Sequence, residues 1–237
     1  MNANNVTTSE IDKFSQHAHQ WWDEQGPLKT LHQVNPVRLA WIAQHCALHN
    51  QMIADIGCGA GILTESLAKA GAKLTGVDMA IASIDVAREH AAEQGLSIDY
   101  QVKTAEGLAS ERLGQYDIVT CMEMLEHVPS PAAVIESCAQ LVRPDGCVFF
   151  STLNRQPKSF LLGIVAAEYL LNWIPKGTHQ YSSFIKPSEL ASTARQYGLE
   201  VVDIKGIVYR PWGGSEQPFA MSRDVGVNYM MAFRKKV

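Results

Sequence analysis

From residue 52 onward the chain alternates short apolar runs with amphipathic stretches. MIADIG (52–57), AKLTGVDM (72–79), IDYQVK (98–103), YDIVTCM (116–122) and GCVFFSTL (146–153) are brief and rich in β-branched, aromatic or other apolar residues, and they read as strands. Between them ILTESLAKA, AIASIDVAREHAAEQG and PAAVIESCAQLVRP carry apolar residues at helical spacing. Strands alternating with helices at such short intervals predict an α/β fold, a mostly parallel sheet covered by helices on both faces. The last third breaks the rhythm. FLLGIVAAEYLLNWI (160–174) is apolar nearly all round, a helix follows from about Pro187 to Tyr197, and two late strands, VVDIKGIVY (201–209) and VNYMMAF (227–233), flank a Pro/Gly loop at 211–218. No crossover helix separates those two strands, so the sheet is expected to end antiparallel.

The first 50 residues read as an accessory layer of helices. Ser9 is a candidate cap for a helix carrying Ile11, Phe14, Ala18 and Trp21/Trp22, and Asn35-Pro36 resembles the cap and first position of a second. Residues 51–237 form the main domain, with an apolar insertion at 155–186. Its core run of 15 residues is shorter than the roughly 20 needed to span a bilayer. Arg155, Lys158, Lys176 and Lys186 flank it and Trp173 closes it, which suits a lid or a lipid-facing helix; a buried core helix is the plainer alternative.

Composition narrows the function classes. A length of 237 residues fits one enlarged domain, and 46% hydrophobic residues suffice for a core without disulfides. With 24 acidic against 20 basic residues and no long basic block, the formal charge of -4 speaks against a nucleic-acid surface. Cys46, Cys58, Cys121, Cys138 and Cys147 contain no CxxC pair and fit a reducing compartment. The polar start MNANNVTTSEIDKF is no secretory signal, so a cytoplasmic protein, peripheral on the inner face of the membrane through 160–174, is expected.

The strongest local signal is Asp55-Ile56-Gly57-Cys58-Gly59-Ala60-Gly61, between the first strand and its helix. Glycines at the carboxyl end of a strand let the backbone approach a ligand closely. The dinucleotide pattern G-x-G-x-x-G would need glycine at Ile62 or Thr64, and no Walker lysine follows. Asp55 beside the loop would repel a pyrophosphate but suits an ammonium and a sulfonium. Asp78 ends the second strand, placed to accept both hydroxyls of a ribose. Together these favour S-adenosylmethionine over a nicotinamide dinucleotide. By topology, Glu106 is a candidate for the adenine amino group and Met122 for an apolar cofactor contact; Arg38, whose fork matches a carboxylate, is a third candidate.

The second cluster is Glu123, Glu126 and His127, just after the fourth strand. On a helical turn Glu123 would share a face with both of the others. Two oxygens and a nitrogen suit a divalent cation such as Mg²⁺, Mn²⁺ or Zn²⁺, which would lower the pKa of an aromatic hydroxyl. A metal-free alternative makes His127 the general base. A helix cap with solvated acids is the third reading.

The stretches FSQHAHQWWDEQGPLKTLHQVNPVRLAWI, ADIGCGAGILTESLAKAGAKLTGVDM, YDIVTCMEMLEHVPSP, LVRPDGCVFFSTLNR, AEYLLNWIPKGTHQYSSFIKP and DVGVNYM span nearly the whole chain and resemble the bacterial ubiquinone-biosynthesis O-methyltransferases. The resemblance implies a Rossmann-like class I methyltransferase fold with a seven-stranded sheet, and S-adenosylmethionine as methyl donor. It also implies two polyprenylated acceptors, 2-polyprenyl-6-hydroxyphenol and 3-demethylubiquinol, and association with other proteins of that pathway. Cofactor contacts are implied at Arg38, Gly57, Asp78 and Met122, and a cation at Glu123, Glu126 and His127.

Overall fold

The computed structural model describes residues 5–7, 10–11, 15, 18–159, 181–210 and 218–236. The apolar run at 160–174 lies outside them.

The alternating pattern yields the expected sheet. Strands β1 (Met52–Ile56), β2 (Lys73–Asp78), β3 (Asp99–Val102), β4 (Tyr116–Met122) and β5 (Val142–Leu153) pair in parallel. β6 (Leu199–Tyr209), β7 (Phe219–Ser222) and β8 (Asn228–Lys235) complete the order β3-β2-β1-β4-β5-β8-β6-β7. β8 runs antiparallel to both neighbours, β5 and β6. Among the described residues the sheet thus has eight strands where the family resemblance implied seven. The additional one is β7, four residues paired antiparallel to the edge of β6 from Gly206↔Ser222 to Tyr209↔Phe219.

Period-two burial splits the core between the two faces. Val148 and Phe150 of β5 join Tyr229, Met231 and Phe233 of β8 on one face. Helices α4 (Ala105–Glu111), α5 (Pro131–Leu141) and α6 (Pro187–Gln196) cover that face through Leu108, Val134, Ile135 and Leu190. Cys147, Phe149, Met230 and Ala232 point the other way, against Trp41 and Ile42 of α1 (Lys29–His45) and Leu63 and Leu67 of α2 (Ile62–Lys69). Helix α3 (Ile81–Glu93) packs Ile84, Ala87 and Ala91 on Tyr100 of β3.

The accessory layer departs from expectation in one respect. α1 begins at Lys29, so Asn35-Pro36 lies inside it rather than at its start. Leu31 and Val34 pack inward ahead of the proline, and that burial outweighs the hydrogen bond Pro36 cannot donate. Asn35 is no cap: its Nδ2 donates to Ser66 Oγ (2.8 Å) and Ile62 O (3.3 Å), tying α1 to α2.

Candidate active site

The loop after β1 turns through three glycines with positive φ, 71° at Gly57, 54° at Gly59 and 91° at Gly61. Space enforces glycine as strictly as conformation does. A Cβ on Gly59 would stand 2.4 Å from Trp21 Cζ2, and one on Gly61 2.2 Å from Tyr100 Oη. The Trp21 ring therefore lies on the loop, and Trp22 beside it donates Nε1–H to Ala60 O (3.1 Å) and stacks on His90 at 3.5 Å between centroids. Sequence reading placed the two tryptophans on a helix face and missed this role. Gly59→Ala is expected to lower the melting temperature by roughly 4–24 °C, since strain and overpacking each cost about 1–3 kcal/mol. An unchanged melt would show that the tryptophan does not press on the loop.

Asp78 closes β2 beneath the loop. Its Oδ2 accepts Gly59 N–H (3.0 Å) and its Oδ1 accepts Ala80 N–H (2.8 Å). Burial raises its pKa, and the backbone N–H groups of Ala80, Gly59 and Met79 oppose the rise. A carboxylate has about four acceptor positions, so acceptor capacity remains for a ribose hydroxyl.

Asp55 sits behind the loop, 3% exposed, with Oδ2 accepting Thr64 Oγ1–H (2.6 Å) and Oδ1 accepting Thr120 Oγ1–H (2.7 Å). It braces the loop from within and is not part of the cleft wall. Burial pushes its pKa up to about 6, against the lowering effect of both threonines and Arg38. A carboxyl whose folded pKa exceeds its unfolded value stabilises fully below the unfolded pKa and loses that contribution as pH rises through the folded one. Stability from this group should therefore fall between about pH 4 and pH 6. Asp55→Asn should flatten that part of the profile, and thermal melts at the two pH values, parallel for variant and wild type, would contradict this.

A cleft open to solvent runs along the carboxyl ends of β1, β2 and β3. Its walls include Gly57, Asp78, Met79, Ala105, Glu106, Met124 and His127. Glu106 falls where expected, in the first turn of α4. Met122 does not: it packs in the core with Ile53 and Ile118, and Met124, two residues on, faces the cleft and lies against Gly57. Strand alternation would put the two on one face; they part because β4 ends at Met122 and Glu123 takes a left-handed φ of 52°.

Arg38 is buried on α1 with Nη2 at 3.1 Å from Glu123 Oε1. Asn228 Nδ2 donates to both Glu123 oxygens (3.0 and 2.9 Å), and Ser151 Oγ–H donates to Oε1 (2.5 Å). Glu126 Oε2 accepts Thr152 Oγ1–H (2.7 Å), while His127 Nδ1 meets Glu10 Oε2 at 2.9 Å. The expected shared helical face does not form. Glu123 takes a left-handed φ of 52°, and only Leu125–His127 make a 3-10 turn, so three side chains leave the backbone toward different partners. Among the described residues no group of three or more His, Cys, Asp or Glu is placed to hold a metal ion. The arrangement does not fit the shared divalent cation at Glu123, Glu126 and His127, since Glu123 already faces a fixed guanidinium and two fixed donors.

The parallel sheet with an antiparallel strand inserted beside β5, a glycine loop after β1 and an acid closing β2 define a Rossmann-like class I methyltransferase. A model of the methyltransferase domain family matches residues 49–204. The magnesium protoporphyrin IX methyltransferase of Synechocystis, solved with bound SAH, shares the fold at TM-score 0.69 over 97% of this chain and 99% of its own, at 18% identity. A possible histamine N-methyltransferase from Thermotoga maritima does so at TM-score 0.67 and 16% identity, over 96% of this chain and 99% of its own.

Full-length relatives narrow the class. The ubiquinone biosynthesis O-methyltransferase of Methylococcus capsulatus is 52% identical over 235 residues, 99% of this chain and 98% of the relative. That of Bordetella bronchiseptica is 53% identical over 232 residues, 98% of this chain and 95% of the relative. The chain belongs to the ubiquinone biosynthesis O-methyltransferase family, and it is an S-adenosylmethionine-dependent methyltransferase. The cleft suits that cofactor: Asp78 retains acceptor capacity for a ribose, and the Gly57 turn admits no Cβ, which would stand 2.8 Å from Met124 Cγ.

Proposed function

We propose that the acceptors are polyprenylated catechol-type rings, 2-polyprenyl-6-hydroxyphenol and 3-demethylubiquinol, each methylated on a ring hydroxyl. The observation that carries this reading is identity above 50% along essentially the whole chain to relatives named for ubiquinone biosynthesis. S-adenosylmethionine supplies the methyl group to the ring oxygen and leaves as S-adenosylhomocysteine. Gly57 and Asp78 hold the donor, with Glu106 at the adenine end and Arg38 as the cation for its carboxylate. His127 borders the same cleft and takes the proton from the ring hydroxyl, whose ordinary pKa near 10 needs a base at neutral pH. Glu10 at Nδ1 fixes the imidazole's orientation, as a carboxylate does for any histidine that works through its other nitrogen. The remaining acceleration comes from alignment in a water-poor site.

A greasy acceptor places the reaction at a lipid surface, on the cytoplasmic side, alongside other proteins of the same pathway. Among the described residues no helix is long and apolar enough to cross a membrane. The test compares methyl transfer to a catechol without a tail, to the same ring with a short prenyl tail, and to a long-tailed ring in phospholipid vesicles. Higher kcat/KM with the tail is expected. Equal kcat/KM for tailed and untailed rings would overturn the prenyl assignment while leaving the methyltransferase chemistry intact.

A further inference from the structure

We propose that residues 5–7, with Glu10 and Ile11, form a clasp over the adenosine half of the cofactor, with Asn5 as its latch and Val6, Thr7 and Ile11 as its inner surface. This rests on the reading that the cleft holds S-adenosylmethionine.

One carboxamide joins Glu106 of the cleft wall to the turn ahead of α5. Asn5 Nδ2 donates to Glu106 Oε1 (3.0 Å) at the start of α4 and to Ser130 O (2.9 Å) just ahead of α5. Asn5 Oδ1 accepts Ser130 N–H (2.7 Å). The amide can face only one way: a carboxylate accepts and cannot donate, and a backbone N–H donates and cannot accept. All three bonds therefore depend on asparagine, and an aspartate there would set a second carboxylate against Glu106.

Five positions on, the segment is pinned again. Thr7 O accepts the N–H groups of Glu10 (3.0 Å) and Ile11 (3.2 Å), and this turn aims the Glu10 carboxylate at His127 Nδ1 (2.9 Å). Val6 and Thr7, between the two anchor points, and Ile11, just past the second, line the same cleft as Asp78, Met79 and Ala105. Two aliphatic side chains in a cleft that Glu106 also lines suit the flat apolar face of a purine. Glu106 can serve both partners, because Asn5 engages Oε1 and the carboxylate has acceptor positions on Oε2 for an exocyclic amine.

A ligand under this segment leaves only after the Asn5 bonds part, so the clasp acts on dissociation more than on association. The test is S-adenosylhomocysteine binding by titration calorimetry, with its dissociation rate by stopped-flow displacement. It is run on the wild type, on Asn5→Ala and on protein lacking residues 1–11, each checked for an unchanged melt without ligand. Asn5→Ala is expected to raise Kd about 10-fold, most of it in the dissociation rate, and the truncation to raise it further. Wild-type Kd and dissociation rate in both variants would overturn the clasp. Tighter binding by either would overturn it too, by showing that the segment obstructs the cleft. Absence of binding by the wild type would instead remove the cofactor reading beneath it.

Discussion

Asp78→Ala is expected to weaken S-adenosylhomocysteine binding by about two orders of magnitude, the scale of two hydrogen bonds to a charged acceptor at about 1.5 kcal/mol each. The carboxylate is already oriented by Gly59 N–H and Ala80 N–H, so it meets a ribose without reorganising. Its loss also releases the Gly59 amide and loosens the loop. Asp78→Asn should fall between the two, because one amide N–H₂ must then face a backbone donor. Equal dissociation constants for wild type and Asp78→Ala would refute the assignment of this residue to the cofactor.

Arg38→Met is expected to lower the melting temperature by roughly 6–12 °C, since breaking a buried ion pair costs about 3 kcal/mol or more. The side chains of Arg38 and Glu123 are only 10% and 19% exposed, so water replaces little of what the carboxylate loses. Glu123 would lose the arginine while keeping its bonds from Asn228 and Ser151. The double variant Arg38→Met/Glu123→Gln should recover more than half of the loss. No recovery would mean that the arginine stabilises by packing alone, and the pairing would carry no coupling energy.

The repeating part of the fold was legible because parallel strands buried on both faces read as continuous apolar runs. The glycine loop and Asp78 were legible for a related reason: a backbone that turns through positive φ admits few residues but glycine. Strand β7 was not, being four residues at a sheet edge directly after Pro218, too short to show a period. The start of α1 was misread because Asn-Pro imitates a cap and only tertiary burial of Leu31 and Val34 says otherwise. The Glu123, Glu126 and His127 cluster was identified as a cluster but given the wrong shape. Helical spacing presumes a helix, and one left-handed residue at Glu123 undoes it. The bonds from Asn5 to Glu106 and Ser130 and from Glu10 to His127 join residues more than a hundred positions apart, and no local pattern announces them.

The most direct test of the account is transfer of a labelled methyl group from S-adenosylmethionine to a short-chain prenyl catechol, followed by mass and NMR analysis of the product. The account predicts a single methoxy group on a ring oxygen, formed in step with S-adenosylhomocysteine and abolished in Asp78→Ala at subsaturating donor. A methyl group on ring carbon, or no transfer by a protein that binds S-adenosylhomocysteine, would contradict it.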